Sequence, residues 1–180
     1  SEMCIRDRQE QQHPAAVGII HRRLALVAET SESKLEHSHA ALKAFEEAEH
    51  GPGIATGHEG LGDAFLDAGD LERAHEHAAE SVRLHEEIGR QRGLSMQYRK
   101  LAQVLSARGE YDKALELVVR AHRAQAELEI PDHYQMARSA AILIDIAATH
   151  ASAEGRELAW TERSGLLMAA QHGATLMREN

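Results

Sequence analysis

The chain has 180 residues, of which 43 % are apolar and only 3 % aromatic, and its net charge is −9 with neutral histidine. This apolar content is enough for a buried core, and abundant alanine and leucine with few aromatic residues favour an all-α fold. The negative charge argues against the basic surface by which proteins bind nucleic acid or anionic membranes. No stretch is apolar enough to span a bilayer and no signal peptide is visible, so we expect a cytoplasmic location.

The first eight residues, SEMCIRDR, show no helical or strand pattern. Their plausible codons, TCG GAG ATG TGT ATA AGA GAC AGR, resemble a transposon-end adapter of sequencing libraries, so we interpret Ser1–Arg8 as non-native. The alternative is a natural terminus. If the segment is an adapter, Cys4 is not native, no cysteine is left for a disulfide or a thiolate metal site, and the native protein is expected to begin upstream.

Two segments forty residues apart share one pattern: LGDAFLDAGDLERA, from Leu61 to Ala74, and LAQVLSARGEYDKA, from Leu101 to Ala114. Gly69 and Gly109 suit the left-handed conformation that ends a helix, because glycine has no Cβ to clash. The acidic residue after each glycine places negative charge at the start of the next helix, where it is stabilising. The pattern therefore predicts two tight antiparallel helical hairpins.

Large apolar residues on the first helix of each hairpin are expected to pack against small residues on the second helix. Leu61 and Phe65 lie one turn apart, and Gly62 leaves room for the second helix to approach. The predicted structural positions are Leu61, Gly62, Phe65, Gly69, Ala74 and Ala78 in the first hairpin, and Leu101, Ala102, Leu105, Gly109, Ala114 and Val118 in the second.

This combination of a Leu-Gly/Ala pair, a large apolar residue, a Gly-acid turn and spaced alanines resembles the tetratricopeptide repeat (TPR). The family's usual unit has about 34 residues. The longer spacing in this chain is similar to a variant with longer helices that is common in bacterial signalling and regulatory proteins. The resemblance covers residues 54–129 and implies an all-α, right-handed superhelical solenoid of antiparallel helix hairpins.

Glycine and proline divide the repeat region into predicted units. The segments GPG at 51–53 and GRQRG at 89–93 are expected to be loops between units. The predicted units are residues 13–52, which are degenerate, residues 53–92, residues 93–130, and residues 131–180, which form a second degenerate unit or capping helices.

The two flanking units depart from the repeat pattern. In the first, Ser38, Ala41 and Ala44 keep a face of small residues, but Lys34 stands where the next unit has Ala74, and there is no Gly-acid turn.

In the last unit, Thr149 and His150 stand where the turn is expected. Residues 157–180 are predicted to form an amphipathic helix that shields the open end of the stack. The alternatives are a dimer seam, which would make a homo-oligomer, or a coil that leads to a missing output domain.

The resemblance also implies where a ligand binds, because the first helix of each pair forms the concave wall of such a solenoid. The implied ligand-facing positions are Thr56, Glu59, Asp63, Leu66 and Asp67 in one unit, and Met96, Arg99, Gln103 and Ser106 in the next.

Three of these positions, Glu59, Asp63 and Asp67, carry carboxylates at spacing i, i+4 and i+8, so the three side chains share one helical face. We interpret this face as a groove for a peptide with Lys or Arg beside an aliphatic anchor; the alternative is a solvated acidic face. Arg99 is expected to bind a carboxylate of the same ligand or to pair with Glu59. The Lys and Asn clamp of chaperone-binding relatives is not visible at Glu59 and Asp63.

Metal and catalytic motifs are missing from the sequence. No two of the 13 histidines are spaced i, i+3 or i, i+4; His37/His39 and His75/His77 are i, i+2 pairs that point to different faces. A mixed site of His77 with Glu80, or a pH response, is the alternative to ordinary histidines.

The chain contains no G-x-S-x-G or H-E-x-x-H motif, and its glycine-rich segment GIATGHEGLG lacks a Lys-Ser/Thr pair and a preceding strand. Gly57 and Gly60 in that segment are expected to allow close helix contact instead. We therefore expect no metal, no cofactor and no enzymatic activity.

Two functions fit these features. The first is a TPR-type scaffold or adaptor that binds a peptide or protein segment, basic or aliphatic in character, in its concave groove. The alternative is a sensory or dimerisation region of a larger bacterial signalling or transcription regulator, with a cyclase, kinase or DNA-binding output domain that this sequence lacks.

Overall fold

The computed structural model describes residues 14–89, 91–126 and 133–155. The secondary structure in these ranges is helical and includes no strand, which confirms the all-α prediction. The adapter interpretation of Ser1–Arg8, Cys4 and the predicted closing helix at 157–180 lie outside the described residues. The helices are α1 (Pro14–Val27), α2 (Ser31–Glu47), α3 (Gly51–Asp67), α4 (Leu71–Ile88), α5 (Gln91–Ala107), α6 (Tyr111–Ala126) and α7 (His133–Ala153).

The chain divides into two compact units, Ser1–Leu84 and His85–Asn180, with the boundary inside α4. In the first unit α1 packs on α2, α2 packs on α3, and α1 also contacts α3. In the second unit α5 packs on α6, α6 packs on α7, and α5 also contacts α7. Both units are therefore built from consecutive helices that pack side by side.

The turns at Gly69 and Gly109 have the same geometry. Their φ angles are 78° and 80°. The amide of Asp70 donates to the carbonyl of Phe65, and the amide of Glu110 donates to the carbonyl of Leu105, each over 2.9 Å. The end of α5 lies forty residues after the end of α3, and the start of α6 lies forty residues after the start of α4. The sequence repeat is therefore also a structural repeat.

The α3–α4 hairpin packs closely because its helices have small residues where they meet. A Cβ at Gly62 would lie 3.2 Å from the backbone nitrogen of Ala78, so any larger residue would push the helices apart. Ser81 donates from Oγ to the carbonyl of Ala55 over 3.0 Å, which joins the two helices further along. Leu61, Phe65, Ala74 and Ala78 are all buried.

The α5–α6 hairpin buries the corresponding side chains. On α6 the buried residues follow a helical stripe of Ala114, Val118, Ala121, His122 and Gln125. Leu101, Ala102 and Leu105 are buried on α5.

The first hairpin, α1–α2, turns without glycine. Thr30 is the N-cap of α2, and its Oγ1 accepts a hydrogen bond of 3.2 Å from the amide of Ser33. Ser38, Ala41 and Ala44 are buried on α2.

The predicted loop at 51–53 is wrong, because these residues form the first turn of α3. Proline is compatible with this position, since the first amides of a helix have no partner within the helix. His50 caps the helix, and its Nδ1 accepts a hydrogen bond of 2.8 Å from the amide of Gly53. Similarly, α5 already begins at Gln91, inside the predicted loop at 89–93.

No turn occurs at Thr149 and His150, where the sequence departs from the Gly-acid pattern of the repeat. Helix α7 continues through both residues to Ala153, and the left-handed residue is Gly155, with φ of 73°. Thr149 donates from Oγ1 to the carbonyl of Asp145 over 2.9 Å, so it is accommodated within the helix.

Candidate functional site

A cleft that opens to solvent lies between α1, α2 and α3 in the first unit. Its floor consists of small residues from all three helices: Ala25, Ser38, Ala41, Gly57 and Gly60. Longer side chains form its rim: Arg22 and Leu26 on α1, Lys34 on α2, and Thr56, Glu59 and Asp63 on α3.

Two glycines of α3 shape the floor. A Cβ at Gly57 would lie 3.0 Å from the Cα of Leu42, so this glycine allows α2 and α3 to approach closely. A Cβ at Gly60 would lie 3.3 Å from Oγ of Ser38, so this glycine leaves the space beside that hydroxyl open.

The Ser38 hydroxyl is the polar group at the floor. The residue is 2 % exposed, and within the described ranges its Oγ has no hydrogen-bond partner. A buried hydroxyl without a partner destabilises the fold by about 1–3 kcal/mol. This residue contributes to the lining of the cleft.

The two walls of the rim carry opposite charges. Glu59 and Asp63 stand one turn apart on α3, while Arg22 and Lys34 stand on α1 and α2. The Lys34 ammonium forms an ion pair with Asp67. The acidic face predicted on α3 is therefore opposed by a basic wall, and the departure of Lys34 from the repeat pattern was the sequence signal for part of that wall.

The predicted ligand-facing positions of the first repeat divide into two groups. Thr56, Glu59 and Asp63 line the cleft, whereas Leu66 is half-buried and Asp67 is exposed beside Lys34.

The predicted positions of the second repeat belong to α5 of the second unit. Met96 and Gln103 are exposed there, Ser106 is half-buried, and Arg99 is buried at 3 % exposure.

Arg99 joins α5 to α7. Its Nη1 donates to Ser95 Oγ over 2.9 Å, to Ser139 Oγ over 3.2 Å and to the carbonyl of Gln135 over 3.3 Å. Its Nη2 donates to Oε1 of Gln135 over 2.6 Å. These bonds give Arg99 a structural role within the second unit. The ligand contact expected from the sequence stays a prediction.

Histidines from neighbouring helices form two pairs. Nδ1 of His58 lies 3.0 Å from Nδ1 of His77, and Nδ1 of His21 lies 3.2 Å from Nδ1 of His37. The His77 ring stacks on Phe65 with 5.4 Å between centroids. The spacing rule applied to the sequence missed these pairs because each joins two helices. No group of three or more His, Cys, Asp or Glu residues suited to a metal ion occurs in the part of the chain that the structure describes.

Burial lowers the pKa of both His58 and His77 below the ordinary 6.5. For His58, the nearby Glu80 and Glu46 partly oppose this shift. For His77, the positive charges of His58, His39 and Arg73 add to it. The folded chain therefore favours a neutral pair, in which one ring donates and the other accepts.

The His58–His77 pair is expected to make the fold less stable in mild acid. Above pH 6.5 both the folded and the unfolded chain keep the pair neutral, so its full contribution is present. Below that value the unfolded chain takes up protons first, and stability is lost as the pH falls through the lowered folded-state pKa. Thermal unfolding at about pH 7.5 and about pH 5.5 should show a larger decrease in Tm for the wild type than for the variant His58→Gln/His77→Gln.

His75→Gln, which lies on α4 like His77, is the matched control, and its Tm should fall with pH as the Tm of the wild type does. Equal decreases in Tm for the wild type and the double variant would contradict the prediction.

No helix in the described ranges is both long and apolar enough to cross a membrane.

Comparison with known proteins identifies the fold. No family model and no curated protein matches the chain. Among solved structures, the chain is similar to the crystal structure of a Podosopora anserina protein that is described as a kinesin light chain. That structure contains nearly identical TPR-like repeats and carries one substitution. The TM-score is 0.56 at 18 % sequence identity, and the alignment covers 99 % of this chain and 94 % of the other. The chain thus has a TPR-like fold of repeated helical hairpins.

Proposed function

We propose that this protein is a non-catalytic interaction scaffold that binds a peptide or protein segment on the first unit. The observation that supports this function best is the cleft between α1, α2 and α3. It contains three of the ligand-facing positions expected from the TPR pattern, Thr56, Glu59 and Asp63, and it has a buried hydroxyl, Ser38, at its floor. Recessed sites with small apolar floors and a few polar groups are typical of ligand binding.

The charge of this part of the chain favours a basic partner. Residues 14–84 contain thirteen acidic and six basic side chains, so they carry most of the net charge of −9. A field of one sign raises the association rate of oppositely charged partners. The proposed partner is therefore a polypeptide segment rich in Lys or Arg.

A sensory or dimerisation region of a larger bacterial regulator is the second candidate function. The equal forty-residue offset of α3–α4 and α5–α6 supports a TPR variant with long helices, and the resemblance to that variant implies such regulators. The open reading frame in an intact genome distinguishes the two functions. An adjoining cyclase, kinase or DNA-binding domain would support the regulator, and stop and start codons close to this segment would support the free scaffold.

Selection of peptides from a random twelve-residue phage library on the full chain tests the scaffold function. We expect an excess of Lys and Arg in the selected peptides, and a loss of affinity of about tenfold or more for Glu59→Gln/Asp63→Gln/Asp67→Gln.

The control for this test is Glu32→Gln/Glu36→Gln/Glu76→Gln, which makes the same change in net charge at exposed residues that do not line the cleft. Circular dichroism verifies that both variants fold. Failure to enrich any peptide, or equal affinity for the two triple variants, would refute binding at the cleft.

A further inference from the structure

We infer that the cleft of the first unit receives the side chain of a lysine from the bound segment; this inference rests on the proposed function. The shape of the cleft is the first argument. Its floor of alanine, glycine and serine leaves a slot without large side chains, and this slot opens to solvent. An unbranched stem of four methylene groups fits such a slot and removes apolar surface from water.

The polar groups of the cleft match an ammonium group. Lysine has three N–H donors and no acceptor, whereas the serine hydroxyl and carboxylates accept hydrogen bonds. The buried Oγ of Ser38 would accept one bond at the floor. Glu59 and Asp63 on the adjacent wall would supply the negative charge.

The opposite wall sets the direction of the side chain. Arg22 and Lys34 repel a cation, so they direct the ammonium group toward α3. A carboxylate ligand would have the reverse preference, for Arg22 and Lys34. The acidic balance of residues 14–84 favours the cation.

The probe for this inference is N-acetyl-lysine-N-methylamide, titrated into the uniformly ¹⁵N-labelled full chain while amide shifts are followed by NMR. We expect saturable shifts at Gly57 and Gly60, and weaker or no shifts with the glutamate and leucine analogues of the probe. Equal responses to the three probes would overturn the inference.

Variants of the cleft charges distinguish a cation from an anion. Glu59→Gln/Asp63→Gln should weaken binding of the lysine probe by about tenfold, whereas Arg22→Gln should leave it unchanged or strengthen it. The reverse pattern, with stronger binding of the glutamate analogue to the wild type, would show that the cleft selects carboxylates.

Variants of the floor separate binding from folding. Ser38→Ala should weaken binding of the lysine probe but raise the Tm, because it removes a buried hydroxyl that has no partner in the described chain. Gly60→Ala should also weaken binding because it fills the slot, and Gly51→Ala, which meets no atom within 4 Å, is its control.

Unchanged binding of the lysine probe by Ser38→Ala would refute the role of this hydroxyl. If phage-selected peptides bind at the cleft but the lysine probe does not, the lysine inference fails while the scaffold function stands. If neither binds, both fail.

Discussion

Replacing Ala114 by leucine is expected to lower the free energy of unfolding by about 1–3 kcal/mol, because it overpacks the α5–α6 hairpin. Ala114 is 0 % exposed and begins the buried stripe of α6. Three additional carbon atoms have no space there unless α5 and α6 move apart. For a chain of this length, each kcal/mol should lower the Tm by about 2–4 °C.

The control is Ala107→Leu, at the exposed end of α5, which should change the Tm little. Thermal unfolding followed by circular dichroism at 222 nm measures both variants. Equal Tm values for the Ala114 variant and the wild type would contradict the tight packing of this hairpin.

Replacing Arg99 by methionine is expected to lower the free energy of unfolding by about 2–4 kcal/mol, since hydrogen bonds to charged groups and buried polar groups left unpaired each contribute about 1–3 kcal/mol. Methionine replaces the aliphatic stem but cannot donate to Ser95, Ser139 or Gln135. Both serines are fully buried, so water cannot easily take the place of the guanidinium group.

Urea unfolding of the full chain tests this prediction, with Arg123→Met at an exposed position of α6 as the control. The urea midpoint of Arg99→Lys should lie between those of Arg99→Met and Arg123→Met, because an ammonium group retains the charge but lacks the planar fork of the guanidinium. A midpoint for Arg99→Met equal to that of Arg123→Met would show that the α5–α7 bonds do not stabilise the fold.

Much of the fold can be predicted from the sequence because its signals are local. Gly69 and Gly109 end helices for a reason that lies in their own backbones, and the alternation of large and small residues follows the helical period. The wrong loop prediction at 51–53 also has a local cause. Proline at position 52 is a common loop signal, but it is equally compatible with the first turn of α3.

The candidate site was predicted only in part, because one of its walls was visible as a pattern on one helix. The spacing of Glu59 and Asp63 placed them on a common face of α3, and the resemblance to the TPR implied Thr56. Arg22 and Ser38, by contrast, join the site from other helices, and no spacing along α3 identifies them.

By itself, the sequence determined the class of fold, the forty-residue repeat and the acidic stripe on α3, since helix caps and periodicity act between residues a few positions apart. Only the tertiary structure decided that Lys34 pairs with Asp67, that His58 meets His77 and that the Ser38 hydroxyl is buried at the floor of a cleft. Such contacts depend on the distance and angle at which separate helices pack, and side-chain volumes across the whole interface set these quantities.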